Sequence, residues 1–345
     1  MPGEYAKAGV DIAAAQEAVD RIKPYIRSTF QEDTLSDIGL FGGLTDLQKL
    51  KEYKEPVLVQ SIDGVGTKLQ VAEMMGKFDT VGQCLVNHCV NDILAQGAKP
   101  LTFLDYAASS KLMPEVLEQI VKGEAEACRK VDCAIVGGET AEMPGTYQKG
   151  RHDLVGCITG VVERGKIIDG KKIEDGDVLI GISSNGLHTN GYSLARKAFF
   201  ATAGLKVQDY VKPLGCTVGE ELLKIHKCYF PQVYPLVQRY DLHGIAHITG
   251  GGLIDNIARL LPEGLCAKID YQWEIHPVFK IIQEIEKVSW PEMRRVFNLG
   301  MGMVLVVPFG QETSIRAALG AFDGNAKVLG AIWKKEGEEK VIFTY

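Results

Sequence analysis

Segments with strand character and segments with helix character alternate along this chain, and the alternation limits its fold more strongly than any single motif does. In the first half, short apolar runs are separated by stretches of helical periodicity. Strands are predicted at 56–62, 101–108, 133–137 and 154–162, and helices at 11–27, 79–95 and 114–130, with a shorter helix ending near Met75. This pattern is typical of an α/β or α+β fold.

The length of 345 residues exceeds one typical hydrophobic core, so two domains are expected. A polar, glycine-punctuated segment at 163–176 precedes a new strand at 177–183, and we therefore predict domains at 1–165 and 166–345. In the second half, helices are predicted at 192–202, 217–227, 253–260, 276–287 and 312–320, and strands at 265–269, 301–307 and 327–333.

The charge and the distribution of apolar residues argue against two classes of partner. A formal net charge of −6 does not suit a general nucleic-acid binder, which needs a basic face. The apolar stretches are shorter than the roughly 20 residues of a membrane-spanning helix. The charged N-terminus lacks the apolar centre of a secretory signal, so a cytoplasmic location is predicted. The eight cysteines form no CxxC pair and are predicted to be reduced.

The segment SIDGVGTK, residues 61–68, has the composition of a phosphate-binding loop but not a known spacing. The sequence contains neither G-x-x-x-x-G-K-[ST] nor G-x-G-x-x-G. Gly64 and Gly66 would allow backbone N–H groups to approach a phosphate at a helix that begins near Thr67. Lys68 adds a cation, and Asp63 adds a carboxylate of the kind that binds metals. A plain strand-to-helix turn explains the segment equally well.

The predicted helix at 79–95 carries polar side chains within an otherwise apolar sequence. Asn87 and Asn91 share one side of the helix because they are four residues apart. His88 and Asp92 share a side for the same reason. Core packing gives no reason to place an aspartate here, whereas a bound metal ion would satisfy it.

Further acids at the predicted strand ends extend this polar cluster. They are Asp105, Glu139, Glu142 and Asp153. Each alone is typical of a solvated loop, but strand ends converge where ligands bind in such sheets, so together they predict a basin of carboxylates. Like charges in such a site repel by on the order of 4 kcal/mol per pair. ATP could bind there only with divalent cations between the charges, and oxygen ligands favour magnesium over zinc.

Two glycine-rich loops in the second half offer donors to an anionic ligand. The first, at 183–193, contains two Asn-Gly pairs, and an ordinary capped loop explains it equally well. The second, HITGGG at 247–252, has three consecutive glycines that suit close approach of the backbone to a ligand. His247 is either a base or a core histidine. In the first half, the glycine-rich stretch at 36–44 is either a connector or a mobile flap.

Together these segments resemble one family, the aminoimidazole ribonucleotide synthetases, or phosphoribosylformylglycinamidine cyclo-ligases, of purine biosynthesis. The similarity spans nearly the whole chain in the blocks YAKAGVDI, DGVGTKL, NHCVNDI, GGETAEMPG, GLHTNGYSL, HITGGG and NLGMGM. The resemblance implies ATP-dependent closure of formylglycinamidine ribonucleotide to aminoimidazole ribonucleotide, through phosphorylation of the formyl oxygen, with release of ADP and phosphate. It also implies a homodimer in which two N-terminal mixed sheets form a barrel, and a C-terminal α/β layer.

The resemblance assigns ATP and metal to the first domain and the substrate to the second. The implied magnesium ligands are Asp63, Asp92, Asp105 and Asp153. The implied nucleotide contacts are Gly42, Gly43, Asp63, Gly64, Gly66, Thr67, Lys68, Asn91, Asp92, Gly138 and Glu139; Lys68 is the catalytic phosphate contact, and 39–43 is a flexible segment over the nucleotide. The implied substrate contacts are Asn185, Gly186, His188, Asn190, Gly191, Thr249, Gly250 and Gly251. His247 and His188 are the candidates for a base.

Other interpretations stay open at this stage. The wider superfamily that shares DGVGTK includes thiamine monophosphate kinase, selenophosphate synthetase and a hydrogenase-maturation protein. The first cysteine, Cys84, lies too late for the catalytic residue expected of a selenophosphate synthetase, and the C-terminal sequence VIFTY lacks the reactive cysteine of the hydrogenase-maturation protein. A non-catalytic nucleotide-binding protein would have no need of a lysine and acids together in the loop.

Overall fold

The structure, a computed structural model, describes residues 11–270, 272–320 and 326–344. The chain separates into two compact units. One contains the described residues up to Ile93 together with Lys99–Gly165, and the other contains Leu94–Ala98 together with the described residues from Lys166 onward. Both combine a sheet with helices, which confirms the predicted α/β (α+β) class. The block YAKAGVDI lies almost entirely outside the described residues.

The N-terminal unit is built on a four-stranded mixed sheet. Its strands are β1 (Pro56–Gly64), β2 (Lys99–Ser109), β3 (Ala134–Glu142) and β4 (His152–Glu163), in the order β1-β4-β2-β3. β4 is antiparallel to β1 and β2, and β3 is parallel to β2. The predicted strands are all present, but β2 and β3 continue beyond their apolar runs. Asp105 and Glu139 therefore lie within strands rather than at strand ends.

The helices of this unit pack closely on one another. Among the described residues they are α1 (Ile12–Arg27), α2 (Leu69–Met75), α3 (Asp79–Leu94) and α4 (Pro114–Arg129), with 3₁₀ turns at Leu47–Glu52 and Gly66–Lys68. A methyl group at Gly82 of α3 would lie 2.1 Å from the carbonyl oxygen of Ile120, and one at Gly123 of α4 would lie 2.0 Å from that of Asp79. Only glycine permits this approach of the two helices.

The register of the sheet places four positions in one row. Asp63 of β1 pairs with Gly156 of β4. Gly156 also pairs with Asp105 of β2, which in turn pairs with Gly138 of β3. Cross-strand partners direct their side chains to the same face, and α3 covers this face, since a methyl group at Gly156 would lie 3.0 Å from Leu85. The two aspartates therefore project toward the helices, separated by a glycine.

The opposite face of this sheet exposes apolar side chains. Ile62 of β1 and Leu104 of β2 both pair with Cys157 of β4, so the three side chains form one row. Ile62 is 69% exposed and Leu104 is 41% exposed; Leu58, on the same face of β1, is 57% exposed. A contiguous apolar row of this kind marks an interaction surface more often than a solvated one.

The C-terminal unit is built on a six-stranded sheet. Its strands are β5 (Val178–Ser183), β8 (Gly244–His247), β9 (Leu265–Ile269), β10 (Met301–Val307), β11 (Ala326–Lys334) and β12 (Val341–Phe343), and the short strands β6 (Tyr210–Val211) and β7 (Cys216–Thr217) pair separately. The order in the sheet is β12-β9-β11-β5-β10-β8, with only the β12–β9 pair parallel.

Both faces of the six-stranded sheet are buried against helices. The helices of the described residues here are α5 (Tyr192–Arg196), α6 (Val218–Leu222), α7 (Phe230–Arg239), α8 (Gly252–Ala258), α9 (Pro277–Glu286), α10 (Trp290–Val296) and α11 (Glu312–Gly320), and a π-helical segment, Lys197–Thr202, follows α5. Ile180 of β5 packs in one core with Val233 of α7, and Leu179 packs in the other with Ile257 of α8. This two-sided burial explains why β5 is apolar throughout.

Helices α7 and α10 are absent from the sequence prediction. Both begin with proline near the first turn, where the missing N–H is no loss, and α7 also contains Pro235. Treating these prolines as breaks in the pattern hides both helices. The predicted helix at 217–227 is also shorter, because α6 ends at Leu222.

Two predictions from composition can be compared directly with the structure. All eight cysteines are free, as predicted. Within the described ranges, the helices are too short or too polar to cross a bilayer.

Candidate active site

Helix α3 brings its polar side chains against β1. The Nε2 atom of His88 lies 2.8 Å from Oδ2 of Asp63, and the Ser61 hydroxyl donates to Oδ2 of Asp92 at 3.0 Å. The Asp63 carboxylate also accepts from the backbone N–H of Gly64 at 2.6 Å. The four-residue spacing in the sequence therefore does place His88 and Asp92 on one side of α3, and that side contacts β1.

Asp63 of β1 and Asp92 of α3 are both partly exposed carboxylates on the two elements that meet here. Their partners Ser61 and His88 orient them, which is the usual arrangement around a metal ligand. Carboxylate oxygens are the ligands that Mg²⁺ prefers, so the two residues fit a magnesium ion. Asn91, predicted as a nucleotide contact, is fully buried.

Asp105 lies in the same row of the sheet as Asp63, in an environment that disfavours its charged form. A methyl group at Gly138 would lie 1.8 Å from Oδ1 of Asp105, so the carboxylate occupies the space that Gly138 leaves open. Burial raises the pKa of Asp105 to about 7, and the charge of Glu139 acts in the same direction. Asp105 therefore holds a proton more readily than an ordinary aspartate does.

The sequence prediction missed a buried acid in this unit, Glu124 of α4. The side chain is fully buried, and neither carboxylate oxygen has a hydrogen-bond partner in the part of the chain that the structure describes. Burial, reinforced by the charge of Asp105, raises the pKa of Glu124 well above its usual value. A signal was available, because Glu124 falls four residues after Ile120 and four before Cys128 on the apolar side of α4.

Asp153, a predicted magnesium ligand, does not share a face of the sheet with Asp63. Asp153 lies three positions from Gly156 in β4, so its side chain leaves the sheet on the face opposite to Asp63. The Asp153 carboxylate accepts from the hydroxyl of Tyr147 at 3.2 Å and is exposed. Glu142 has a structural use instead, because it accepts from the backbone N–H of Leu112 at 3.0 Å.

Lys68, predicted as a phosphate contact, is turned away from solvent. The side chain is fully buried, and its Nζ donates to Sγ of Cys84 of α3 at 3.1 Å. Burial lowers the pKa of Lys68. The turn at Gly66–Lys68 directs the lysine inward, and the contact between Lys68 and phosphate stays a prediction. Gly66 itself is exposed, with φ of 53°; Thr67 lies within the same turn, and Gly64 ends the strand before it.

The glycine-rich stretch at 36–44 forms a closed loop. The hydroxyl of Ser36 accepts from the backbone N–H of Leu44 at 2.7 Å. Phe41 is fully exposed. A methyl group at Gly43 would lie 2.4 Å from a carbonyl oxygen of β3, whereas Gly42 has no neighbour within 4 Å. Gly43 is therefore needed for packing, and Gly42 is accessible.

In the C-terminal unit, Asn298 holds the first glycine-rich loop. Its Nδ2 donates to the carbonyl oxygen of Gly186 at 2.9 Å. Its Oδ1 accepts from the hydroxyl of Ser184 at 2.9 Å and from the N–H of Gly300 at 2.8 Å. Asn185 is exposed and donates to a backbone carbonyl at 2.8 Å. Asn298 lies in the NLGMGM block but was not predicted as a site residue.

Asn256 of α8 holds the second loop in a similar way and was also missed. Its Nδ2 donates to the carbonyl oxygens of Gly250 at 3.1 Å and Gly252 at 2.8 Å. Gly251 and Gly252 have φ of 92° and 59°, which favours glycine. A methyl group at Gly252 would also lie 2.0 Å from the carbonyl oxygen of Arg294. The GGG sequence thus meets a requirement of the backbone.

The structure brings the two loops of the C-terminal unit together. A methyl group at Gly250 would lie 3.6 Å from Oδ1 of Asn190. The Nδ2 atom of Asn190 is buried and has no hydrogen-bond partner among the described residues. Gly191, with φ of 76°, lies beside Asn190, and the hydroxyl of Thr249 is 3.4 Å from Asn256. Asn190 is therefore a buried donor beside a glycine-rich backbone.

Three buried histidines lie together, two of them from these loops and one from the segment after α6. His188 has φ of 63° and stacks on His226, with ring centroids 4.1 Å apart. His226 in turn contacts His247, with 3.0 Å between the two Nε2 atoms. His188 and His247 were predicted as site residues, whereas His226 was not. In the sequence, His226 falls within the helix predicted at 217–227, and no motif singled it out.

One protein family accounts for both units, the one with the carboxylates and the one with the glycine-rich loops. The chain belongs to the AIR synthase related proteins: the model of the family's N-terminal domain matches residues 49–162, and that of its C-terminal domain matches residues 174–342. The two matches leave only a short segment between them, near the change from one compact unit to the other.

Individual relatives indicate which proteins of this family the chain resembles. A phosphoribosylformylglycinamidine cyclo-ligase of Alkaliphilus oremlandii is 49% identical over 98% of this chain and 98% of its own length. One of Brevibacillus brevis is 44% identical over 99% of each chain. Among solved structures, HypE of E. coli is similar with a TM-score of 0.69 over 96% of this chain and 94% of its own. At 16% identity, that similarity concerns the fold alone.

Proposed function

We propose that this chain is an ATP-dependent cyclo-ligase that converts formylglycinamidine ribonucleotide to aminoimidazole ribonucleotide, with release of ADP and phosphate. The observation that carries the proposal is the 44–49% identity, over nearly the full length of both chains, to proteins named phosphoribosylformylglycinamidine cyclo-ligase. We also propose that it acts in the cytoplasm, where ATP is available.

The N-terminal unit is proposed to bind ATP with magnesium. Asp63 and Asp92 would hold the metal, since both are accessible and oriented by neighbours. When bound, Mg²⁺ supplies positive charge against the phosphates of ATP. Asp105 would join them only after losing its proton, because its pKa is raised to about 7. Gly42 and the exposed Phe41 support a role of the 36–44 loop in covering the nucleotide.

The C-terminal unit is proposed to bind the substrate through its two loops. The buried Nδ2 of Asn190 gains a partner if an oxygen of the substrate lies beside Gly250. Backbone N–H groups of a glycine-rich loop suit the substrate's phosphate, which needs donors at close range. Gly186 and Gly191 keep the first loop in the shape that presents these groups.

The reaction has two proposed steps. First, the formyl oxygen of the substrate attacks the γ-phosphorus of ATP; an O–P bond forms, and ADP leaves with the electrons of the broken bond. Second, a substrate nitrogen attacks the activated carbon; a C–N bond forms, phosphate leaves with the C–O electron pair, and the nitrogen loses a proton. Ring closure within one oriented molecule reaches effective molarities of about 10⁵ M or more, so holding the substrate in a folded pose contributes much of the rate.

We further propose that the N-terminal sheet pairs with that of a second copy. The exposed row of Leu58, Ile62 and Leu104 is the kind of apolar surface that a homodimer buries. Replacing Ile62 by Lys is expected to shift the protein toward monomer in sedimentation velocity. Replacing the exposed Phe309 of the other unit by Lys serves as the control and should leave the oligomeric state unchanged.

The decisive test is the dependence of phosphate release on the substrate. Purified protein with MgATP is assayed for phosphate and for aminoimidazole ribonucleotide, with and without formylglycinamidine ribonucleotide. We expect equal amounts of phosphate and aminoimidazole product, and negligible phosphate without the substrate. A phosphorylated product that accumulates without ring closure would instead identify a small-molecule kinase. ATP binding without any turnover would identify a nucleotide-binding protein.

A further inference from the structure

The C-terminal unit contains a cavity that none of the proposed substrate contacts line. Its volume of about 500 Å³ lies within the usual range of small-molecule sites. Val178, at the start of β5, lines the cavity, whereas the first glycine-rich loop begins at Ser183, at the other end of the same strand. The strand separates the two by about 16 Å at 3.3 Å per residue. The cavity is therefore distinct from the proposed substrate site.

The floor of the cavity is one face of the six-stranded sheet. Ala331 of β11 pairs with Val178 of β5 and with Lys268 of β9, and cross-strand partners direct their side chains to the same face. Trp333 lies two positions after Ala331 and faces the same way. The ammonium of Lys268 lies 5.0 Å from the centre of the Trp333 ring. An apolar floor thus carries an indole ring with a cation beside it.

A bulge in β11 directs Trp333 to this face. The pairing of β11 with β5 shifts by one residue between Val328 and Gly330. With regular alternation from Val328, Trp333 would lie on the opposite face, where Ile332 now packs. A methyl group at Gly330 would lie 1.9 Å from the carbonyl oxygen of Lys268, so the bulge depends on glycine. Bulges that redirect a side chain in this way are over-represented next to active sites.

Two aromatic rings and three charged groups line the cavity and are open to solvent or partly so. Trp333 is 50% exposed and Phe309 is 81% exposed. The carboxylates of Asp175 and Asp270 and the ammonium of Lys268 form no ion pair within the described ranges of the chain. All five groups are therefore available to a ligand.

The chemistry of these groups defines the class of ligand. Exposed aromatic rings stack on planar rings. A carboxylate only accepts hydrogen bonds, so the part of the ligand near Asp175 and Asp270 must carry N–H donors. The ammonium of Lys268 only donates, and phosphate is a strong partner for it. A nucleotide whose base carries an exocyclic amino group supplies the planar ring, the donors and the phosphate in one molecule.

We propose that this cavity is a binding site for a nucleoside monophosphate with an amino-bearing purine base. The base stacks on Phe309 and Trp333, its amino group donates to the carboxylates, and its phosphate accepts from Lys268. The inference goes beyond the proposed function and does not depend on it, because every residue that lines the cavity belongs to the C-terminal unit and lies outside its two glycine-rich loops.

A series of matched ligands tests the proposal, with AMP as the probe. Isothermal titration calorimetry of the full chain is carried out with EDTA, because the nucleotide binding proposed for the N-terminal unit depends on magnesium. AMP should bind with a Kd on the order of 10⁻⁴ M or tighter. Adenosine, which lacks the phosphate, and purine riboside 5′-monophosphate, which lacks the amino group, should each bind about tenfold more weakly. No binding of AMP, or equal affinity for all three ligands, would overturn the proposal.

Substitutions at the cavity show where AMP binds. Trp333→Leu and Phe309→Leu should each weaken AMP binding about tenfold, because stacking on the base is lost. Lys268→Met should weaken AMP binding about tenfold and leave adenosine binding unchanged. Trp290→Leu is the matched control, since Trp290 is an exposed tryptophan of the same unit that does not line the cavity. Circular dichroism checks that each variant is folded.

Two further outcomes would count against the site. If Asp63→Asn abolished AMP binding and Trp333→Leu did not change it, AMP would occupy the N-terminal unit and the proposal would fail. If Phe309→Lys shifted the protein toward monomer in sedimentation velocity, the cavity would lie in a contact between copies of the chain, and the proposal would fail as well.

The result is separable from that of the proposed function. AMP binding at the cavity by a protein that makes no aminoimidazole ribonucleotide would leave this inference standing and reject the proposed function. Formation of aminoimidazole ribonucleotide by a protein that does not bind AMP at the cavity would do the reverse.

Discussion

The two units of this chain hold their site residues by different physical means. In the N-terminal unit, the row of Asp63 and Asp105 and the buried Glu124 bring carboxylates close together, and burial raises the pKa of the latter two. In the C-terminal unit, the neutral amides of Asn256 and Asn298 hold glycine-rich loops through backbone carbonyls. The carboxylates of the N-terminal unit repel one another, whereas the two amides of the C-terminal unit already have hydrogen-bond partners in the loops that they hold.

This difference predicts that a bound ligand stabilises the N-terminal unit more than the C-terminal unit. The repulsion between neighbouring carboxylates decreases when a cation binds or when a proton is taken up. Side-chain amides that already have hydrogen-bond partners are stabilised by neither event. Mg²⁺ and pH should therefore act mainly on the N-terminal unit, and substitutions of neutral polar residues should act mainly on the C-terminal unit.

The largest expected effect follows from removing a metal ligand. Asp63→Asn should lower kcat/KM by on the order of 10²–10³-fold, because an amide oxygen binds Mg²⁺ less strongly than a carboxylate. Asp153→Asn is the matched control, since Asp153 lies on the other face of the same sheet. Steady-state kinetics at several Mg²⁺ concentrations check the prediction. Equal losses for both variants would show that the sheet face does not matter.

The next effect concerns stability and pH. Asp105 has a folded-state pKa of about 7 against an ordinary value of 3.8, so the folded protein binds its proton more tightly than the unfolded chain does. The contribution of Asp105 to the free energy of unfolding should therefore be largest below pH 4. It should decrease as the pH rises to about 7, by up to about 4 kcal/mol at 1.4 kcal/mol per pH unit.

Urea unfolding of the wild type and Asp105→Asn across this pH range measures the effect. The variant should show a smaller decline between about pH 4 and 7. Excess Mg²⁺ should also reduce the decline in the wild type if Asp105 is a ligand, because the cation then replaces the proton. A decline identical in both proteins would mean that Asp105 does not control it.

A smaller effect is expected in the C-terminal unit. Asn256→Ala removes the donors to Gly250 and Gly252 and should lower the free energy of unfolding by about 2 kcal/mol. The loss should be the same with and without Mg²⁺, as judged by urea unfolding. If Mg²⁺ rescued this variant, the contrast between the two units would be broken.

The smallest expected effect concerns the space around Asp105. Gly138→Ala would place a methyl group 1.8 Å from Oδ1 and 2.9 Å from the backbone oxygen of Asp105; rotation of the carboxylate relieves only the first contact, and the cost should be about 1 kcal/mol or slightly more. Gly42→Ala, which meets nothing within 4 Å, serves as the control. Thermal unfolding of the two single variants checks the prediction, and equal midpoints for both would contradict the close contact.

Local patterns in the sequence were sufficient where neighbours along the chain decide the structure. The strand at 56–64, the helix at 79–94 and the shared side of His88 and Asp92 follow from periods of two and 3.6 residues. The glycine-rich loops were also evident, because positive φ at Gly251 and Gly252 requires that residue type. The prediction missed α7, a helix that contains two prolines.

What the sequence determined by itself was the family and the alternation of strands and helices in the first half of the chain. Tertiary structure alone decided that Asp153 and Asp63 lie on opposite faces of the sheet, that Lys68 turns inward onto Cys84, and that His226 contacts His247. Each of these outcomes depends on the register between strands or on the packing of segments distant in the sequence. Periodicity carries no information about either, because it records only which residues share one side of one element.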